Sequence, residues 1–233
     1  MVRWIPWGPV TIQGLVRPTR MTHTGRTDNT HTWILTSGIC GTAGVVAYLG
    51  AAFLPLPDSA GLVLAFAFGP LVSVASLGLA HALADGRRYV GARIAAFLGA
   101  AAGIMVLAML AVQQALFTAY ERIPETDPAR RSLTHLGEAI HFGLDIAWDC
   151  LIAASMVLFA LHMWRSPRFG KIFSVLGSAC GLLLFGINIA AFPAPPDSIG
   201  WLDMGPFCAL WILAVYVRMV MIGYRADAAP QAG

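Results

Sequence analysis

Residues 61–84 read GLVLAFAFGPLVSVASLGLAHALA, a stretch without a single Asp, Glu, Lys or Arg. A bilayer core of about 30 Å needs about 20 apolar residues in helical form, so this run alone is long enough to cross. It is apolar on every side, with no polar stripe, which is the pattern of a lipid-embedded helix and not of a helix lying on a soluble core. Five further runs repeat the pattern, at about 33–54, 92–118, 140–163, 171–192 and 200–222. The expected fold is an all-α, polytopic transmembrane bundle of six helices.

Composition agrees. The chain is 58% hydrophobic and 12% charged, against about 45–50% and about 25% in soluble domains. The net charge of +3 is scattered through short connections and not gathered on one face, so no nucleic-acid partner is expected. The lipid bilayer is the first partner, with an unidentified small solute or ion as the second.

Loop charge sets the expected orientation. Arg3, Arg17, Arg20, Arg26, Arg87, Arg88, Arg93, Arg165, Arg168, Lys171, Arg218 and Arg225 fall at one end of the helices. Arg122, Arg130 and Arg131 fall at the other. Twelve against three, alternating with each span, places both termini in the cytoplasm by the positive-inside rule. The expected setting is a bacterial cytoplasmic (inner) membrane, the arginine-rich usage hinting at a GC-rich genome. Residues 1–32 read as a basic cytoplasmic segment, with Met21 a plausible start, residues 33–223 as the membrane domain, and 224–233 as a cytoplasmic tail. The first span reads as an uncleaved anchor, since its apolar run is about twice that of a signal peptide.

The polar residues inside the spans carry what functional signal there is. His141, Asp145 and Asp149 are spaced i, i+4, i+8 and share one helix face, with Glu138 extending it. Asp149 falls about 5 Å from the expected midplane at 1.5 Å per residue. Each mid-span aspartate costs about 2.5–3.5 kcal/mol to insert, which neighbouring Leu, Ile, Val and Phe offset by only about 0.3–0.6 each. This face must therefore look into the bundle or a watery cavity. Gln113, Gln114, Asn188, Asp203 and Tyr48 fall at similar depth and are expected to join it in an outward-facing polar pocket. Two carboxylates one turn apart in a low dielectric are not expected both to stay charged unless a cation sits beside them, so at least one is driven toward taking up a proton, which suits a proton or cation relay. A buried hydrogen-bond network that fixes helix packing is the competing reading.

Other signals are weaker. Pro70 and Pro206, in two Gly-Pro pairs, are expected to kink helices 2 and 6 beside a protein-lined or watery space. Gly99 and Gly103 form a small-residue face that allows close helix contact, within the bundle or between subunits of a homo-oligomer. His81 (with Asp85) and His162 could ligate haem, although satisfied histidines near the interface are the commoner case, and no metal or cofactor is expected. The four cysteines form no CxxC pair and read as small packing residues. No GxSxG, HExxH, Walker A or GxGxxG motif occurs, so no catalytic residue is assigned. An intramembrane metal- or haem-dependent enzyme is the least supported class.

Residues 51–61 and 190–200 match at seven of eleven positions. The match reflects either shared turn chemistry, proline ending one helix and Asp-Ser capping the next, or a duplicated hairpin. The stretches Gly143-Leu144-Asp145-Ile146-Ala147-Trp148-Asp149, Pro167-Arg168-Phe169-Gly170 and Gly205-Pro206, together with the six-span plan, resemble small bacterial membrane proteins of a domain-of-unknown-function type. The resemblance covers mainly helices 4 to 6. It implies a six-helix fold and no assigned activity, so it transfers no functional residue.

Overall fold

The computed structural model describes residues 24–84, 89–124 and 126–227. Met21 and the basic segment before it, with Asp85, Arg87, Arg88 and residues 228–233, lie outside the described residues. The helices are α1 (Thr24–Phe53), α2 (Asp58–Leu83), α3 (Tyr89–Glu121), α4 (Pro128–Met163), α5 (Gly170–Ala191) and α6 (Gly205–Asp227), with a short 3-10 turn at Pro196–Ile199. All six are long and apolar enough to cross a membrane. The chain is a multi-pass membrane bundle, and no strand occurs among the described residues.

Each helix packs on its neighbours in sequence, and α1 closes the ring against α6. Contact between α5 and α6 is the sparsest in the ring. It is anchored by Trp211, whose ring lies where a side chain on Gly177 would stand and whose indole N–H donates to the Phe173 carbonyl at 2.9 Å.

The helix ends explain where the expected spans were misplaced. α4 begins at Pro128, well before residue 140. Asp127 accepts from the Ala129 N–H at 2.8 Å, and proline suits the first helical position because its missing N–H would be unbonded there anyway. The added turns are polar, so hydropathy alone passed over them. At 1.5 Å per residue α4 is about 54 Å long, against about 33 Å for α5, so the α3–α4 hairpin projects beyond the rest. α6 begins at Gly205, not at 200. Its cap is Asp203, which accepts from the Gly205 N–H at 2.7 Å. Pro206 therefore sits in the first turn, where it kinks nothing. Pro70 does lie mid-helix in α2, but its ring faces the exposed outer surface and not an inner space.

The Asp-Ser capping expectation fails as well. Asp58 is the first residue of α2, and Pro57 before it makes no side-chain cap. Asp197 and Ser198 sit in the 3-10 turn, several residues short of α6. The matching turns thus fold differently, and α1–α2 packs intimately where α5–α6 does not. The repeat is shared turn composition without a shared hairpin structure.

The core is concentrated in one half of the bundle. Ile34 and Val45 on α1, Val72 to Leu83 on α2, Ala92 to Val106 on α3, Ile152 to Met163 on α4 and Val215 to Met219 on α6 supply most of the buried side chains. Most of these lie toward the arginine-rich end. Glycine and serine make this half tight. Ser155 Oγ donates to Ala95 O at 2.8 Å between α4 and α3, and Ser73 Oγ reaches Ala100 O at 3.1 Å between α2 and α3. Gly99 is packed against the Ser76 and Ser155 hydroxyls, and Gly103 against Ser73 and the backbone of Gly69. Both glycines are buried, so this face is occupied inside the bundle and is not a contact between subunits.

At the arginine-rich end Arg168 ties three elements together. Its guanidinium donates to Ala82 O at 3.1 Å, satisfying a carbonyl at the end of α2, and its own carbonyl accepts from Arg218 Nε at 2.8 Å. Arg168→Gln is expected to cost about 1 kcal/mol, the net worth of one such hydrogen bond, read as a lower midpoint in thermal unfolding in mild detergent.

Candidate functional site

α4 carries Glu138, His141, Asp145 and Asp149 down one face into a cavity of about 620 Å³. Asn188 of α5, Asp203 before α6, and Pro193, Pro195 and Pro196 of the connection between them form the remaining wall. Phe142 stacks on Phe192 at 6.1 Å between ring centres and joins α4 to that connection. The cavity lies in the carboxylate-rich half, where the core thins and the helices leave room.

Asp149 is the deepest acid, with 6% of its surface exposed. Asn188 beside it is 5% exposed. The Asn188 amide donates one N–H to Leu184 O at 3.0 Å and also hydrogen-bonds the Asp149 carboxylate. Asp145 lies one turn toward the opening, half-buried, and feels both His141 and Asp203 electrostatically. Asp149 in turn feels Asp145 and Asp203. Tyr48 of α1, stacked on Phe68 at 4.7 Å, lies within electrostatic range of all three aspartates. Among the described residues, no Lys or Arg lines the cavity.

Most of the expected set therefore meets: Asp145, Asp149, His141, Asn188 and Asp203 line one cavity, with Glu138. Two expectations need correcting. Gln113 is exposed and lines a groove of about 300 Å³ between α3 and α4 that also borders Glu138 and His141, but it is not among the residues that line the larger cavity. Asp203 is not on α6 but precedes it, and one of its oxygens is engaged as the cap. The proline-rich wall and the Phe142–Phe192 stack went unforeseen, because nothing in a proline run indicates which helix it folds back upon.

No protein-family model, curated protein or solved structure matches the chain. The site must be read from its chemistry.

His81 and His162 are held locally. His81 Nδ1 faces Leu77 O at 3.2 Å and its ring meets Trp33 of α1 edge-on. His162 Nδ1 faces Leu158 O at 2.8 Å, and its ring packs over Gly91 of α3. The two rings thus lie against different neighbours, α1 and α3, and do not face a shared space. Among the described residues no group of three or more His, Cys, Asp and Glu side chains is placed to hold a metal. The four cysteines are free thiols, and Cys208 donates to Cys180 O at 3.6 Å.

Proposed function

We propose that the protein is a small ion-pathway or transport protein of a bacterial inner membrane, passing protons or small cations by way of Asp149. The observation that carries this reading is a buried aspartate near mid-span at the base of a cavity whose ionisable lining is acidic or histidine. Intramembrane carboxylates are costly and mark ion pathways and proton relays. The cavity supplies a wet approach from one end, and the dense glycine-serine half supplies a seal at the other. Loop charge supports the orientation with both termini cytoplasmic, so the cavity opens outward and the seal faces inward. The resemblance to small six-span bacterial membrane proteins supports the bacterial setting.

One observation favours a different reading. The Asp149–Asn188 hydrogen bond joins α4 to α5, as a packing network in a non-transporting structural, sensory or accessory subunit would. Flux separates the two. In proteoliposomes with an imposed proton, sodium or potassium gradient, the wild type is expected to dissipate at least one gradient faster than empty vesicles. Asp149→Asn, which keeps the shape and the hydrogen bond, is expected to return the rate to that of empty vesicles. A wild type that moves none of these ions, or an Asp149→Asn variant as fast as wild type, would overturn the proposal.

A further inference from the structure

The turn from α4 to α5 reads Trp164-Arg165-Ser166-Pro167-Arg168-Phe169-Gly170-Lys171, and from Cys150 to Pro196 the chain has no Asp or Glu. Gly170 adopts φ of +81°, a conformation that favours glycine, and so turns the chain back into α5. Arg168 is engaged with α2, as described. Arg165 and Lys171 are exposed, and among the described residues no carboxylate lies within ion-pair distance of either. The Lys171 ammonium sits 5.7 Å above the Trp164 ring, which holds positive charge at this corner.

Behind that corner, between α4 and α5, lies a cavity of about 540 Å³. Its polar lining is Arg165, His162, Ser174 and Ser178. Ser174 is 3% exposed and lines the floor of this cavity. Ser178 lies one turn deeper on the same face. The walls are apolar: Leu161 and Val175 line the cavity, and both, with Ile172 and Leu176 nearby, are exposed.

A positive mouth, a hydroxyl-lined floor and apolar walls at the end of two membrane helices match one kind of ligand. Basic pockets between helices on the cytoplasmic side suit anionic lipid headgroups. We propose that this groove seats the phosphate of an anionic phospholipid, between Arg165, Lys171 and the Ser174 hydroxyl, with its acyl chains along Leu161 and Val175. A free phosphate would gain nothing from the apolar walls. This site is separate from the Asp149 cavity and does not depend on the proposed transport role.

The test is native mass spectrometry on the purified, delipidated full-length protein. It is titrated with phosphatidylglycerol, with phosphatidylcholine, and with phosphatidylglycerol in the presence of millimolar inorganic phosphate. Wild type is expected to prefer phosphatidylglycerol by about tenfold, given two basic residues near the headgroup. Arg165→Gln with Lys171→Gln, at exposed positions that leave the fold intact, is expected to remove that preference. Ser178→Leu, which fills the floor, is expected to weaken binding of phosphatidylglycerol while leaving both charges in place. Arg122→Gln with Arg131→Gln, at the far end, is expected to change nothing. Equal binding of the two lipids by wild type, or an undiminished preference in the Arg165/Lys171 variant, would refute the site. Displacement of the lipid by inorganic phosphate would assign the groove to a free anion and overturn the lipid proposal.

Discussion

Gly103→Val is expected to lower the unfolding free energy by about 3 kcal/mol, the upper end for an overpacked interior, or to prevent accumulation of folded protein altogether. Gly69 of α2 and Gly103 of α3 face each other so closely that a side chain on either would collide with the other's backbone carbonyl. A flexible neighbour could swing aside from an added methyl group, but a carbonyl held in a helix cannot. The collision is relieved only by moving α2 and α3 apart. That would break the Ser73 hydroxyl's reach to Ala100 O and open the half of the bundle that holds most of its core. Helix association in lipid depends on close packing, because lipid tails are as apolar as the helices. Gly143→Ala and Gly186→Ala serve as controls, since nothing lies within 4 Å of a side chain built at either. They are expected to raise stability by about 0.5–1 kcal/mol, by removing the entropy penalty of a helical glycine. The measurement is thermal unfolding of each purified variant in the same mild detergent. A Gly103→Val protein that unfolds together with wild type would show that α2 and α3 do not require this contact.

How much of this was legible beforehand depends on which physical property did the signalling. Hydropathy reports the cost of leaving lipid, so the number of spans and their chain order could be read directly. It says nothing of polar helical turns beyond the membrane, so the start of α4 was placed twelve residues late. The face shared by His141, Asp145 and Asp149 was readable because helical spacing is a property of one chain segment. Their meeting with Asn188 and Asp203 was a guess from depth, which came true because α5 and the connection after it pack on that flank of α4. The same guess held only in part for Gln113, which shares a neighbouring groove with Glu138 and His141 and does not line the larger cavity, since depth carries no information about direction around the axis. The glycines of α1 went unread for a related reason. Gly38 and Gly41 lie against α6 residues, Val220 and Tyr216, and Gly44 lies against Leu71 of α2. A glycine spacing of three is ordinary until the partner helix is known. Pro206 was misread because its effect depends on its place within the helix, and the boundary at Gly205 is set by Asp203, a cap that an apolar run conceals.

The two halves of the bundle are thus built on different chemistry. The arginine-rich half excludes space with glycine, alanine and serine. The carboxylate-rich half holds long helices, few buried apolar side chains and a cavity with an aspartate at its floor. An evolved packing network would be expected in the dense half, where helices already approach closely. Asp149 lies instead where the dense half ends and the cavity begins.

Replacing Asp149 and Asn188 together separates packing from function with the greatest contrast. Asp149→Leu alone orphans one Asn188 N–H, and an unsatisfied buried donor costs about 1–3 kcal/mol. It also removes a carboxylate whose placement near mid-span costs about 2.5–3.5 kcal/mol, so the single variant is expected to remain close to wild type in stability. Asp149→Leu with Asn188→Leu removes both partners. Buried polar pairs replaced by apolar groups of similar size are often neutral or stabilising, so the double variant is expected to unfold at or above the wild-type temperature. Under the transport reading, its ion flux in proteoliposomes is expected to fall to that of empty vesicles despite the intact fold. A stable protein with no flux is the signature of a residue kept for its chemistry at the expense of stability. Under the packing reading the order reverses: the double variant loses several degrees of thermal stability, and no ion flux separates wild type from variant. A double variant that is both stable and fully active in flux would remove Asp149 from the pathway, whatever the ion.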